Sequence, residues 1–393
     1  MNNPDQPKDS GARIAAYWAV ILLMFAVLFE VVGFAAGFIG LDAFDHRDTV
    51  IARLGERQTA DLRKVDPIVG WQPVPGVQLE DTSCLGVKRM HQIGLDGARA
   101  YPGYAPEQAT IVVSGDSYTY GAEVADPDAF PAVLAGLTGE TVANLGVGGY
   151  GPVQAVLRLE EKIDNYPRAR MIILGIMYEN VHRMMNGYRP VLYDKMPIFA
   201  FAPYMRDGEV QPHIGKAPLM SDETLLPEIE QAFDTDFWAK PLHRFPYSVA
   251  LFKGLSSNFF QLRRVQKTLR KMGQPEYVLT FSSPVIQENL FGLLDRFAAL
   301  ARSRGLGAVV VFMPRNRLDI QSVQTLIAEQ GDRFADGLTV VDVAAADIDW
   351  SRYNLENKED GNICHPSEYG YSEIAQHLAA SIGQQTVADT PAN

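Results

Sequence analysis

Cysteine is nearly missing from this 393-residue chain. It has two, Cys84 and Cys364, and neither belongs to a CxxC or CxxH pair. That scarcity argues against a zinc site and excludes a multi-bridge disulfide framework, while leaving open one bridge between the two or a pair of free thiols. Positive charge is also scarce: 35 Lys and Arg against 47 Asp and Glu give a net charge of -12. With no basic stripe long enough to offset that repulsion, nucleic acid is not expected as a partner. Internal repeats are absent, and the only biased tract is the C-terminal VADTPAN. A hydrophobic share of 47% with 21% charged residues belongs to an ordinary globular chain, which excludes general disorder and a multi-span membrane protein.

One long apolar run stands out. Residues 14–39 read IAAYWAVILLMFAVLFEVVGFAAGFI, with Glu30 as the only charge. About 20 apolar residues in helical geometry cross a hydrocarbon core of about 30 Å, whereas a cleavable signal peptide has an apolar region of roughly 7–15. The segment 14–41 is therefore expected to be a transmembrane helix after a short tail, 1–13. A long signal peptide cut near Ala35 and Ala36, or a buried core helix, are the competing readings. Glu30 is expected either at headgroup level or facing a partner helix. Lys8 and Arg13 precede the span and Arg47, Arg53 and Arg57 follow it, so flanking charge does not settle orientation.

Beyond the span, residues 43–64 read as a charged, partly amphipathic helix suited to a stalk. Residues 65–107, with Pro67, Pro73, Pro75, Pro102 and Pro106, read as an extended lead-in wrapping the main domain, the stalk and lead-in together covering 42–107. An α/β rhythm then begins. Strands are expected at Thr110–Ser114, Thr141–Val147, Arg170–Met177, Ala308–Met313 and Leu338–Val343, and helices near 129–137, 153–163, 285–304, 320–329 and 371–382. Such alternation implies right-handed crossovers and a parallel sheet in a domain over 108–386. Residues 186–275 break the rhythm with prolines, aromatics and the basic stretch QLRRVQKTLRK, and read as an insertion; 387–393 is a flexible tail.

Chemistry-bearing residues fall at the ends of these strands. Gly115-Asp116-Ser117 follows the first strand and puts a serine hydroxyl at its carboxyl end, where open α/β sheets bind ligands. Alone the tripeptide says little, since it arises by chance with a probability on the order of 0.1 in such a chain. Three further features appear in order. The glycine-rich turn Asn144 to Gly151 offers backbone N–H groups, Asn180 ends the third strand with an amide donor, and His365 precedes the last helix.

In this order the motifs resemble the SGNH/GDSL hydrolase superfamily, from about Ile93 to the last helix and including the stretch IGLDGARAYPGY. The resemblance implies a three-layer, flavodoxin-like α/β domain with a central parallel sheet, here preceded by one N-terminal transmembrane helix. It implies Ser117 as nucleophile and His365 as general base. The Ser117 and Gly149 N–H groups and the Asn180 side chain would then form the oxyanion hole. The family has an aspartate three residues before the histidine, and here that position is Asn362. Either Asp360 reaches the imidazole, or Asn362 serves in a weaker dyad, or catalysis is lost; Asp342 is a more distant candidate acid. His182 and the aromatic stretch Tyr188–Tyr204 read as rim or packing residues, with contact to substrate as the sharper alternative.

The activity expected from the resemblance is a serine esterase removing O-acyl groups, such as acetyl, from a cell-envelope polysaccharide. The alternatives are an O-acyltransferase served by a membrane acyl-donor protein, and an inactive glycan-binding relative. No cofactor or metal is expected. The expected location is the inner membrane, single-pass, with the catalytic domain extracytoplasmic.

Overall fold

A computed structural model describes residues 10–39, 43–46, 63–193, 200–213, 222–272, 281, 283–315, 320–334, 336–357 and 362–388. The chain starts with helix α1 (Ser10–Ala36), the one helix among the described residues long and apolar enough to cross a membrane. Two antiparallel hairpins follow, β1 (Arg63–Asp66) with β2 (Gly70–Pro73) and β3 (Gln78–Thr82) with β4 (Lys88–Gln92). The charged helix expected over 43–64 is not seen where that segment is described. Asp45 makes a bridge to Leu242, and Arg63 and Lys64 are already in β1. The rest of that stretch lies outside the described residues.

The domain proper runs β5 (Ala109–Gly115), α2 (Ser117–Tyr120), α3 (Phe130–Thr138), β6 (Thr141–Asn144), α4 (Pro152–Lys162) and β7 (Met171–Met177). Between β7 and the next long helix, the described residues form a small hairpin, β8 (Tyr204–Arg206) and β9 (Glu209–Gln211), and helices α5 (Asp222–Thr235), α6 (Tyr247–Ser256) and α7 (Asn258–Lys271). Then come α8 (Pro284–Arg304), β10 (Gly307–Met313), α9 (Ile320–Gln330), β11 (Leu338–Asp342), α10 (Trp350–Tyr353), the hairpin β12 (Asn354–Asn357) with β13 (Asn362–Pro366), and α11 (Glu368–Ala388).

Five strands form one parallel sheet in the order β11-β10-β7-β5-β6. Read from β6, this is the flavodoxin-like order 2-1-3-4-5. Both faces are covered, so the central strands β5, β7 and β10 are mostly apolar and their alternate residues enter different layers. Val112, Ile172, Leu174, Val310 and Phe312 pack toward α4 and α8, while Ile111, Val113, Ile173, Val309 and Val311 pack toward α3 and α11. The fold is a three-layer α/β domain. The order in which strands are added reverses between β5 and β7, and ligands bind at such a switch point, outside the carboxyl ends of the strands.

Glu30 does face a helix, and that helix belongs to the same chain. Its carboxylate accepts the Tyr247 amide at 2.7 Å, the Ser248 amide at 3.3 Å and the Ser248 hydroxyl, which caps the N-terminus of α6. A Cβ on Gly33 would lie 2.5 Å from the Tyr247 backbone, so only glycine lets the two helices approach this closely. Of the aromatic stretch, Tyr188 and Phe201 are buried with ring centroids 4.6 Å apart, a packing role for these two, while residues 194–199 lie outside the described residues.

Candidate active site

Ser117 stands at the switch point because the turn after β5 is built tightly. A Cβ on Gly115 would meet Thr119 Oγ1 at 2.0 Å and the Gly175 carbonyl at 2.6 Å, so glycine is what lets α2 fold back on β5 and β7. Asp116 then caps α2, accepting the Tyr118 amide at 2.9 Å on Oδ1. Its Oδ2 accepts the Met177 amide at 3.2 Å and the Asn180 Nδ2 at 2.6 Å. One buried carboxylate therefore ties the serine turn to the end of β7 and holds the Asn180 amide in the same pocket as Ser117.

His365 comes from β13. Its Nε2 lies 2.9 Å from Ser117 Oγ, and its Nδ1 lies 2.6 Å from Glu123 Oε1. Glu123 is the residue that sequence reasoning did not weigh. Asp360 lies outside the described residues, and Asn362 is the first residue of β13. Asp342 is engaged elsewhere, accepting the Tyr178 hydroxyl and, at 3.1 Å, the Ala344 amide.

Glu123 is buried, and three contacts fix it. Its amide donates to Asp81 Oδ2 at 2.8 Å, its Oε2 accepts the Cys84 amide at 3.1 Å, and its Oε1 meets His365. Burial pushes its carboxyl up, but the hydrogen bond and charge of His365, with the Cys84 amide, outweigh this and hold it below the ordinary value of 4.5. Its φ of 70° is left-handed, a conformation that costs a non-glycine residue of order 1–3 kcal/mol and clusters at functional sites. Fully buried Arg99 holds this loop in place, donating from Nη1 to Tyr120 O and from Nη2 to Val124 O, both at 2.8 Å, and from Nε to Asp126 at 2.8 Å.

Cys84 and Cys364 form a disulfide with a Cα separation of 6.2 Å. The bridge joins the residue whose amide holds Glu123 to the neighbour of His365. The lead-in thus does more than wrap the domain, because the β3–β4 hairpin supplies Asp81 and leads into Cys84.

In the turn from Val147 to Tyr150, the Tyr150 amide returns to Val147 O at 3.3 Å and Gly149 takes a φ of 84°, as a type II turn requires at its third residue. Trp71 Nε1 donates to Gly148 O at 3.3 Å, and since the peptide is planar and trans this aims the Gly149 N–H to the opposite side. His182 bonds the Tyr193 hydroxyl at 2.9 Å, and burial pushes it down to about 4. It does not line the pocket around Ser117. That pocket, of about 250 Å³, has Glu179, Asn180, Arg183, Arg315, Glu123 and His365 among its walls. Arg315 pairs with Glu179 at 2.8 Å and donates to Ile363 O at 2.9 Å, so it also braces the strand carrying His365.

No known family's sequence profile matches the chain, and no curated protein matches it. Among solved structures, it is similar to a lipolytic protein of the G-D-S-L family from Desulfitobacterium hafniense, at 13% identity and a TM-score of 0.31, over 69% of this chain and 99% of that one. It is also similar to a family two carbohydrate esterase from Clostridium thermocellum, solved with cellohexaose, at 11% identity and a TM-score of 0.29, over 72% of this chain and 66% of that one. At these scores the fold rests on the strand order itself, which is the three-layer architecture of the SGNH/GDSL resemblance.

Proposed function

We propose that this chain is a membrane-anchored serine ester hydrolase of SGNH type, with Ser117 as nucleophile, His365 as base and Glu123 as the acid that orients it. The observation that carries this reading is the unbroken relay from Ser117 Oγ through His365 to Glu123, at 2.9 and 2.6 Å. A serine hydroxyl becomes an effective nucleophile only when a base accepts its proton. His365 Nε2 takes that proton as Oγ bonds to the acyl carbon, and Glu123 holds the Nδ1 proton in place. The resulting oxyanion is received by the Ser117 and Gly149 amides and the Asn180 side chain. His365 then protonates the leaving alcohol, and water attacks the acyl-Ser117 by the same route to release the acid.

The pocket volume of about 250 Å³ is below the roughly 300–1,000 Å³ of sites for drug-sized ligands, which favours a short acyl group such as acetyl. The polar wall of Glu179, Arg183 and Arg315 suits a hydroxyl-rich alcohol, and we read the substrate as an O-acylated carbohydrate of the cell envelope. Anchoring through α1 is supported by its specific packing on the body, because a cleaved signal peptide would have no use for Glu30 capping α6. The Cys84–Cys364 bridge favours an oxidising compartment, hence an extracytoplasmic domain.

A fluorophosphonate probe tests the core of this reading. It is expected to label the native protein and to leave Ser117→Ala unlabelled. A folded native protein that resists labelling would end the proposal. Hydrolysis is then separated from acyl transfer by whether a glycan added to the acyl-enzyme gains the acyl group or only free acid appears.

A further inference from the structure

The insertion contains an apolar surface that the catalytic reading does not use. Helix α6 has two faces. Ala250 and Gly254 turn inward, and a Cβ on Gly254 would lie 2.2 Å from the Ala43 carbonyl. On the other face Val249 and Phe252, three residues apart, are 49% and 75% exposed, and Phe245, two residues before the helix begins, is 72% exposed. This stripe lies next to α1. Ala26 and Phe29 of α1 and Ser248, Val249 and Phe252 of α6 line one groove of about 420 Å³, with Glu30 in its wall.

The depth of that groove follows from helix geometry. Glu30 and Ala26 lie six and ten residues before Ala36, hence about 9 and 15 Å inside the end of α1 at 1.5 Å per residue. Helix α6 is pinned on one side at Glu30 and Gly33 and on the other at Ala43, so it lies against the last turns of α1. A helix held there, with an outward apolar stripe, sits at the boundary between headgroups and acyl chains. Its first amides also satisfy Glu30, which would otherwise be an isolated carboxylate at that depth. The charge pattern agrees. Helix α7, which leaves directly from α6, has the sequence NFFQLRRVQKTLRK, with no acidic residue in a chain of net charge -12. Arg263, Arg264, Lys267 and Lys271 are exposed on it.

We propose that α6 is a second, monotopic membrane contact: Phe245, Val249 and Phe252 enter the acyl boundary beside α1, and the basic residues of α7 meet anionic lipid headgroups. The occupant of the apolar surface is lipid. The catalytic body is then held at a fixed height and attitude on the bilayer instead of swinging on a flexible tether. This inference rests on α1 being retained as an anchor.

The test uses the full chain in nanodiscs of mixed zwitterionic and anionic lipid, with a nitroxide on Phe252→Cys, on Leu22→Cys within α1, and on exposed Ser303→Cys of α8 as the aqueous control. Collision with oxygen is compared with collision with a water-soluble nickel chelate. The label at 252 is expected to favour oxygen over nickel by roughly threefold or more relative to the label at 303, approaching the label at 22. In a second arm, R264E combined with K267E should reduce that ratio in anionic nanodiscs while leaving turnover of a small soluble ester unchanged. A label at 252 that is as nickel-accessible as the one at 303, or shielded from both agents as a second protein copy would cause, overturns the proposal. Intact mass of the membrane-extracted chain separates the two failures. Loss of residues 1–36 would remove the anchor reading itself, whereas retained α1 with an aqueous 252 would remove only this inference.

Discussion

Replacing Glu123 by Gln changes one atom of the relay and leaves the backbone's left-handed conformation equally strained. The carboxylate accepts on both oxygens, His365 Nδ1 on Oε1 and the Cys84 amide on Oε2. An amide has one acceptor and one donor group, so it cannot serve both. If its oxygen faces Cys84, its NH2 faces Nδ1 and forces the imidazole proton onto Nε2, the atom that must accept from Ser117. If its oxygen faces His365, two donors meet at Cys84 and the imidazolium loses its counter-charge. In the serine-protease triad the equivalent Asp-to-Asn change lowers turnover about 10⁴-fold. For Glu123→Gln we expect kcat on a small acetyl ester to fall about 10³–10⁴-fold, equivalent to about 4–5.5 kcal/mol of barrier. Asp360→Ala and Asn362→Ala should change it only a few-fold. Steady-state kinetics on all three, with circular dichroism to confirm folding, decides the matter. A Glu123→Gln enzyme within a few-fold of native, beside an inactive Asp360→Ala, would refute the assignment of Glu123.

Three further outcomes are expected. Asp116→Ala strands the Met177 amide and frees the Asn180 side chain, so stability should drop about 1–3 kcal/mol per orphaned donor in urea unfolding, and kcat should fall about 10²–10³-fold. An unchanged KM would accompany it if Asn180 acts only on the oxyanion. Cys84→Ser opens a loop with a sequence separation of 280 and should cost roughly 2–5 kcal/mol, with turnover falling at temperatures where the protein stays folded, because Glu123 and His365 lose their common staple. Full turnover in reduced, folded protein would contradict that coupling. Glu123's carboxyl is held below 4.5, so its contribution to stability is complete above that value and is lost as pH falls through its folded pKa. The stability gap between the native protein and Glu123→Gln should accordingly narrow on acidification below about pH 4.5, as followed by thermal unfolding.

Much of this architecture could be read in the chain because it is locally encoded. The three central strands are short, mostly apolar runs between turn residues, and a strand buried on both faces has to look that way. The serine turn was legible only through its place after the first strand and its order with the later motifs; the structure then shows why Gly115 and Asp116 occupy it, since a Cβ at 115 would strike Thr119 and Asp116 caps the next turn. The long apolar run determined α1 by composition alone. What Glu30 touches was not determined that way, because its partner lies more than 200 residues along the chain.

The acid beside His365 depended on tertiary structure for the same reason. Nothing around Glu123 signals a role. It comes to lie against His365 because Arg99 and Asp81 hold the loop after α2 in an unfavourable φ, and because the Cys84–Cys364 bridge brings the lead-in hairpin and the final loop to the same carboxylate. Sequence by itself fixes the order of elements and the residues that each strand end presents, since these follow from side-chain shape and period. Which distant groups meet at the histidine is decided only when three separate segments pack together, and no local pattern records that meeting.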